Sequence, residues 1–306
     1  PKPQYNLNVG SGQHGAQTAK MTAGIEELLV SEKPQAILVY GDTNSTLAGA
    51  LAASKIGIPV VHVEAGLRSF NKEMPEEINR ILCDHVSTLL FCPTPQAIYN
   101  LKKEGFTNST EKAYINHPKY FHCGDIMYDN SMYFSTVSDE QSSILAELQL
   151  KAGNFILSTI HRNANTDIPE NLIQIFTALQ TIQEESGQTI VLPLHPRTKK
   201  FLEDLKGDAQ IEKALTNPFI KFIAPAGFID IIALEKQCSL IVTDSGGLQK
   251  EAFFFKKPCI ILREQTEWIE IVENGNAKTV GANKDAIIEA YRYFSSKQDL
   301  TYPPIF

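Results

Sequence analysis

Short runs of apolar, often β-branched residues alternate along this chain with longer segments whose apolar residues recur at helical spacing. This alternation is typical of parallel α/β layering, because a crossover helix must precede each further parallel strand. The runs are apolar throughout, which indicates that helices cover both faces of each sheet. The candidate strands are 36–40, 60–64, 89–92, 120–123, 155–160, 189–194, 219–223, 240–243, 259–263 and 277–280.

A polar stretch at 135–143 interrupts the alternation and separates four candidate strands from six. We therefore expect two Rossmann-like domains, at 1–130 and 131–283, and a C-terminal helix within 284–306 that packs back on the N-terminal domain. The smaller number of strands in the first half, together with a first residue other than Met, predicts that the N-terminal domain is truncated and lacks its opening strand-helix units.

Composition weighs against several classes of function. The 306 residues include 28 Lys and Arg against 35 Asp and Glu, a formal net charge of −7, so we expect no nucleic-acid partner. No apolar run approaches the roughly 18 residues of a membrane span, and the N-terminus does not resemble a signal peptide. The five cysteines form no CxxC pair, so we expect reduced thiols in a cytoplasmic protein.

Acidic side chains follow two neighbouring strands of the first half. Ligands of an open parallel sheet bind beyond the carboxyl ends of its strands, and Asp42 and Glu64 occupy these positions. Asp42 alone would be a turn residue or helix cap, and Glu64 a solvated loop residue. Gly66, however, allows close backbone approach to a ligand.

The next predicted helix adds a third acid, Glu76, with Arg80 four residues later on the same face. A surface ion pair is the competing interpretation of these two residues. Three acids at one site would repel each other unless they served acid/base chemistry or bound a cation.

Basic residues follow two strands of the second half. His161 and Arg162 come after the strand at 155–160, and His195 after the strand at 189–194. A lone histidine is usually structural, but His-Arg at a strand end suits a phosphate group.

The strand at 240–243 leads through Asp-Ser-Gly-Gly into a helix. Backbone N–H groups at Ser245, Gly246 and Gly247, together with the helix dipole, would form an anion cradle, and Glu251 could accept hydrogen bonds from ribose hydroxyls. Plain helix capping is the alternative.

Two weaker motifs do not support a cofactor. The glycines at 10–15 match GxGxxG but follow a short, half-polar run, which argues against a nicotinamide site, and GDTNST at 41–46 lacks the lysine of a P-loop. We expect no cofactor and no metal.

Together, these loops resemble the non-hydrolysing UDP-N-acetylglucosamine 2-epimerases. The resemblance spans about residues 5–306 and rests on GDTNST at 41–46, HVEAGLR at 62–68, MPEEINR at 74–80, HR at 161–162 and TDSGGLQKE at 243–251. It implies a GT-B arrangement of two Rossmann-like domains, a UDP-sugar substrate and a homodimer. The opening strand and Gly-Thr-Arg-Pro loop of the family have no counterpart here, and its C-terminal helix continues beyond Phe306, which agrees with the expected truncation.

The family's reaction explains why these residue types are needed. Loss of the C2 proton and departure of UDP from C1 give a 2-acetamidoglucal, and UDP then adds back with protonation from the opposite face. The resemblance assigns the acid/base work to Asp42, Glu64 and Glu76 and places His161 near the diphosphate. It gives substrate contacts to Arg80, Arg162, His195, Phe228 near the uracil, Ser245, Gly246, Gly247 and Glu251.

Alternatives to this function remain open. Many members have Glu where this chain has Ala164, and the spacing of 69–75 also resembles members that act on UDP-2,3-diacetamido uronic acids. A non-catalytic UDP-sugar-binding protein would keep the fold, although it would not need three acids. A GT-B glycosyltransferase is a third interpretation, and it would require an acceptor.

Overall fold

The computed structural model describes residues 2–108, 110–297 and 299–306 as an α/β protein. The chain forms two compact units: a first unit that ends at Ile126 and includes Ile305–Phe306, and a second unit, Met127–Pro304. The predicted α/β class is confirmed, because each unit contains a parallel sheet.

The first unit is built on a four-stranded sheet with the strand order β1-β2-β3-β4. All of its strand pairs are parallel, so the carboxyl ends of the strands lie at one edge. Its elements are α1 (His14–Glu32), β1 (Ile37–Tyr40), α2 (Asn44–Lys55), β2 (Val60–Val63), α3 (Pro75–Val86), β3 (Leu89–Cys92), α4 (Pro95–Lys103) and β4 (Lys119–His122).

The second unit holds the larger part of the core. Its helices and strands are α5 (Ile126–Gln141), α6 (Ile144–Glu147), β5 (Phe155–Thr159), α7 (Asn163–Thr166), α8 (Pro169–Ser186), β6 (Thr189–Pro193), α9 (Pro196–Asp204), α10 (Ala209–Thr216), β7 (Ile220–Ile223), α11 (Phe228–Gln237), β8 (Leu240–Thr243), α12 (Gly246–Phe254), β9 (Cys259–Ile261), α13 (Ile269–Glu273), β10 (Ala277–Thr279) and α14 (Lys284–Ser296).

The strand order of the second sheet, β10-β9-β8-β5-β6-β7, positions its ligand site. The chain runs outward from β5 to β7 and then crosses back to β8, which pairs with the other side of β5. This is the Rossmann order, and the loops after β5 and β8 flank its topological switch point. A ligand is therefore expected beside these two loops.

The structure corrects the expected domain boundaries in two places. The polar stretch at 135–143 is largely helical, within α5, and the two units divide at Ile126 rather than at residue 130. The helix expected to pack on the N-terminal domain, α14, packs instead against α8 of the second unit. Phe294 of α14 lies in that unit's core, and Arg292 Nε donates to Glu185 Oε2 at 3.0 Å.

We expect Phe176→Ala to lower the free energy of unfolding by about 3–5 kcal/mol, because it removes a large ring from a close-packed core. Phe176 is fully buried on α8, with its ring 6.0 Å from that of Phe222. Phe219→Ala is the matched control, since this ring is 53% exposed. Urea unfolding of both variants tests the prediction, and equal midpoints would contradict it.

Candidate functional site

The first two strands bring Asp42 and Glu64 to the same edge of the first sheet. Their register places Tyr40 opposite Val63, and Gly41 N donates to Val63 O at 3.0 Å. The Glu64 carboxylate lies against this turn, because a Cβ added to Gly41 would be 3.2 Å from Glu64 Oε2. The turn that holds Asp42 and the loop that holds Glu64 therefore meet at one edge of the sheet.

The loop that carries Glu64 has an unusual backbone. Glu64 has a φ of 73°, in the left-handed region, where the backbone of a residue other than glycine is strained. Gly66 has a φ of 80°, and a Cβ there would lie 2.5 Å from the carbonyl oxygen of Ala97. The glycine is thus required by packing of the loop on α4, whereas the sequence suggested close approach to a ligand.

Arg80 connects α3 to the first acid. Its side chain is 2% exposed, and its Nε donates to Asp42 Oδ2 at 2.9 Å. The Asp42 side chain itself is 32% exposed, so it combines a fixed orientation with access to solvent. Arg80 is therefore a buried contact of Asp42 rather than a surface residue.

The two adjacent glutamates of α3 have different environments. Glu77 is 1% exposed and accepts hydrogen bonds from Ser69 N and Phe70 N, each at 2.9 Å, so it holds the loop before α3. Glu76 is only partly buried. Both glutamates belong to the first turn of α3, and the structure identifies Glu77 as the structural one, which leaves Glu76 as the candidate for chemistry.

In the second unit, the Asp244 carboxylate organises the switch point. It is fully buried and accepts hydrogen bonds from His161 N, Arg162 N and Asn165 Nδ2 at 2.9–3.1 Å. His161 Nδ1 lies 3.1 Å from Asp244 Oδ1, so this contact orients the ring, and Nε2 is the nitrogen that does not face Asp244. Burial alone would raise the pKa of Asp244, but these hydrogen bonds and the charge of His161 lower it below its ordinary value.

His195 lies beside His161, as the strand ends predict. The ring centroids are 5.9 Å apart. His195 Nδ1 accepts a hydrogen bond from Arg197 N at 3.2 Å, so the neutral ring carries its proton on Nε2. The two rings present polar edges next to the loop after β8, where an anion is expected.

The start of α12 shows the helix cap that was the alternative interpretation, and an anion cradle at this position stays a prediction. Ser245 is the N-cap, and its Oγ accepts from Leu248 N at 3.4 Å. A side chain at Gly246 would displace the Glu267 carboxylate, because a Cβ there would lie 2.6 Å from Glu267 Oε1. Glu267 pairs with Arg263 at 3.1 Å, and the sequence reasoning did not assign either residue to the site. The position of Arg263 at the end of a candidate strand was the available signal.

Two further predicted contacts lie on helices of the second unit. Gly247 and the partly buried Glu251 both belong to α12, in its first two turns. Phe228 begins α11, is 47% exposed, and packs edge-on against Phe134 with the ring centroids 5.0 Å apart. Its position at a helix start, after β7, is compatible with a contact to a planar ligand.

Two Rossmann-like units, one of them with the start of α12 at its switch point, define a protein of the GT-B class. Comparison with known proteins makes this more specific. A family described as UDP-N-acetylglucosamine 2-epimerase matches residues 1–303. The chain belongs to this family of isomerases.

Relatives agree with the family assignment. The chain is 48% identical over 296 residues to a UDP-N-acetylglucosamine 2-epimerase homolog of Methanococcus maripaludis, covering 96% of this chain and 78% of the relative. It is 47% identical over 292 residues to the UDP-2,3-diacetamido-2,3-dideoxy-D-glucuronate 2-epimerase of Pseudomonas aeruginosa, covering 95% and 76%. A crystal structure of Methanocaldococcus jannaschii UDP-GlcNAc 2-epimerase in complex with UDP-GlcNAc and UDP has a TM-score of 0.87 and 42% identity, covering 100% of this chain and 81% of that one.

The described part of the chain contains neither a membrane-spanning helix nor a metal-binding cluster. Within residues 2–108, 110–297 and 299–306, no helix is long and apolar enough to cross a membrane. The same ranges contain no cluster of three or more His, Cys, Asp and Glu side chains that could hold a metal ion.

We expect Asp244→Asn to lower the free energy of unfolding by about 1–3 kcal/mol at neutral pH, because the amide cannot accept all the N–H donors that face it. The folded pKa of Asp244 is lowered, so its contribution is complete above the unfolded pKa of about 3.9 and is lost as the pH falls through the folded value. The difference between variant and wild type should therefore shrink in acid.

Urea unfolding at a series of pH values tests this prediction. Asp285→Asn is the matched control, because that side chain is 87% exposed at the start of α14. A difference for Asp244→Asn that stays constant down to the lowest measurable pH would contradict the assignment of this carboxylate as ionised.

Proposed function

We propose that this chain interconverts UDP-N-acetylglucosamine and UDP-N-acetylmannosamine without hydrolysing them. The observation that carries the proposal is that the turn holding Asp42 and the loop holding Glu64 meet at one sheet edge, with Asp42 fixed by the buried Arg80. A protein that only bound a sugar nucleotide would not need several acids at one sheet edge, since like charges repel.

The C2 hydrogen of the sugar is not acidic, because no carbonyl group adjoins the ring carbon. Loss of this proton is therefore coupled to breakage of the C1–O bond. A carboxylate takes the proton, the electrons of the C2–H bond form the C1=C2 double bond, and the electrons of the C1–O bond leave with UDP. The resulting 2-acetamidoglucal is protonated at C2 from the opposite face while UDP returns to C1. Asp42, Glu64 and Glu76 are proposed as the acids and bases, and Asp42 or Glu64 also stabilises positive charge developing at C1.

The second unit is proposed to hold UDP throughout the reaction. The N-terminus of α12 offers N–H groups at Gly246 and Gly247, and His161, Arg162 and His195 supply polar edges next to it. Glu251 is proposed to accept the ribose hydroxyls, and Phe228 to flank the uracil. Holding the departing diphosphate in place makes its return to C1 faster than its loss to solvent.

A UDP-2,3-diacetamido uronic acid is the second candidate substrate. The 47% identity to the Pseudomonas aeruginosa relative favours it, because this value is close to the highest identity quoted above. Incubation of the chain with each UDP-sugar alone separates the two candidates. Turnover without any acceptor also separates both from a glycosyltransferase.

Two further properties accompany the proposal. All five cysteines are free thiols, which supports a reducing compartment such as the cytoplasm. We also propose a homodimer, for which Ile78 and Leu82 offer support: they are 44% and 41% exposed and lie four residues apart on α3, so they form an apolar stripe that a second copy would cover. Sedimentation velocity measures the oligomeric state directly.

The direct test of the reaction uses deuterated water. Epimerisation through a glucal must introduce solvent deuterium at C2, because the proton removed from one face is replaced from the other. We expect mass spectrometry of the product to show one deuterium per turnover at C2. Product without deuterium at C2 would exclude proton abstraction with solvent exchange.

The roles of the acids are tested by replacing each with its amide. We expect Asp42→Asn, Glu64→Gln and Glu76→Gln each to reduce turnover by roughly 10²-fold, because size is kept while the titratable group is lost. UDP affinity, measured by calorimetry, should stay within error of wild type, since these residues act on the sugar.

His161→Ala should behave differently from the acid variants. Because its proposed partner is the diphosphate, the variant should weaken UDP binding as well as turnover. His117→Ala is the matched control, since that imidazole is 45% exposed and pairs with an exposed glutamate.

Unchanged turnover in all three acid variants would show that the carboxylates are structural.

A further inference from the structure

A histidine lies fully buried beneath the two loops of the first unit, and the mechanism above does not use it. His62, on β2, is 0% exposed, with Nδ1 2.7 Å from Asp84 Oδ1 and Nε2 2.8 Å from the carbonyl oxygen of Gly41. Both ring nitrogens thus face oxygen atoms. A neutral imidazole has one N–H and can donate to only one of them.

The proton that decides this arrangement could lie on Asp84 or on His62. Asp84 Oδ2 already accepts from Arg68 Nη1 at 2.7 Å and from Gly66 N at 3.1 Å, and these donors favour the ionised carboxylate. The Gly41 carbonyl can only accept. The geometry is therefore that of a doubly protonated imidazolium, which donates from both nitrogens.

We propose that His62 is a positioning residue for proton transfer, which as an imidazolium ties the turn before Asp42 to the loop after Glu64. One nitrogen holds the carbonyl of Gly41, the residue before Asp42. The other holds Asp84, whose second oxygen binds the N–H of Gly66, two residues after Glu64. The assignment of a catalytic purpose to these loops rests on the proposed function.

Loss of the charge would release one particular end of this link. A neutral His62 keeps its single N–H towards the carboxylate, because a hydrogen bond to an ionised acceptor is the stronger one. Asp84 also stays in place, since Arg68 holds it and in turn forms two hydrogen bonds of 2.7 Å to Glu104. The lone pair of Nε2 would then face the oxygen of Gly41 and repel it, so the turn that carries Asp42 would move.

The charges around His62 determine the direction of its titration. Burial lowers its pKa, but the hydrogen bond and charge of Asp84, the carbonyl of Gly41 and the charge of Glu64 raise it above its ordinary value. Among the groups on neighbouring elements, Asp42 pairs with Arg80, and Arg68 pairs with Asp84 and Glu104. The thiols of Cys83 and Cys92 are neutral, because burial raises their pKa.

The pH dependence of the link through His62 follows from this raised pKa. The link is complete below the ordinary histidine pKa of about 6.5 and is lost as the pH rises through the folded value. We therefore expect wild-type turnover to decrease over that upper range.

The charge of His62 is measured directly by nitrogen NMR of histidine-labelled wild-type protein. At about pH 7.5, one unit above the ordinary pKa, we expect both ring nitrogens of His62 to be protonated. A neutral ring at this pH would overturn the proposal, and this readout needs no turnover.

The positioning role is tested with His62→Gln, which can donate a hydrogen bond but carries no charge. We expect faster amide hydrogen exchange at 41–46 than in wild type, and turnover roughly 10²-fold lower, as for a misplaced catalytic group. UDP affinity should be unchanged, since the cradle belongs to the second unit. Wild-type turnover should decrease over the pH range in which NMR shows that His62 loses its proton, and this decrease should be absent in His62→Gln.

His117→Gln is the matched control, because His117 is an exposed histidine of the same unit. A folded His62→Gln protein with wild-type exchange at 41–46 would overturn the proposal. If the variant does not fold, exchange at 41–46 in wild type across the NMR titration decides, and a constant rate after correction for intrinsic exchange would overturn it. Absence of turnover in wild type with normal NMR and exchange results would count against the proposed function alone.

Discussion

Each of the two units depends on one fully buried aspartate carboxylate. Asp84 in the first unit and Asp244 in the second are both 0% exposed, and each accepts a backbone N–H from the loop that carries candidate site residues. A buried charge is tolerated only where donors surround it, so the loops must adopt the conformations that supply those donors. A histidine contacts each carboxylate: His62 in one unit and His161 in the other.

Burial separates the residues that hold the site from those available for chemistry. Glu77 is buried and binds the loop before α3, whereas its neighbour Glu76 is partly accessible. His62 is enclosed on both sides, whereas the ring of His161 is 36% exposed. In both pairs the residue types are the same, and the two members differ in how far the fold encloses them.

The sequence predicted much of this arrangement from local patterns. All the candidate strands are present, because short apolar runs between helical segments favour parallel strands, although Leu38 of β1 and Phe121 of β4 are 50% and 43% exposed. The candidate site residues were predicted from the same patterns, because parallel strands place their carboxyl ends at one edge. Helix α5 was not expected, because part of it is a polar stretch. Its Phe134 packs on Phe228, and this contact, distant in sequence, stabilises the helix.

The sequence by itself determined the class of the fold, the family and the loops that carry chemistry, because strand periodicity and short motifs are local properties. Tertiary structure alone decided which of two adjacent glutamates is buried, why Gly66 must be glycine, that α14 joins the second unit, and that both nitrogens of His62 meet acceptors. These outcomes depend on atoms brought together from distant parts of the chain, and the protonation and exposure of a side chain follow from those neighbours rather than from its residue type.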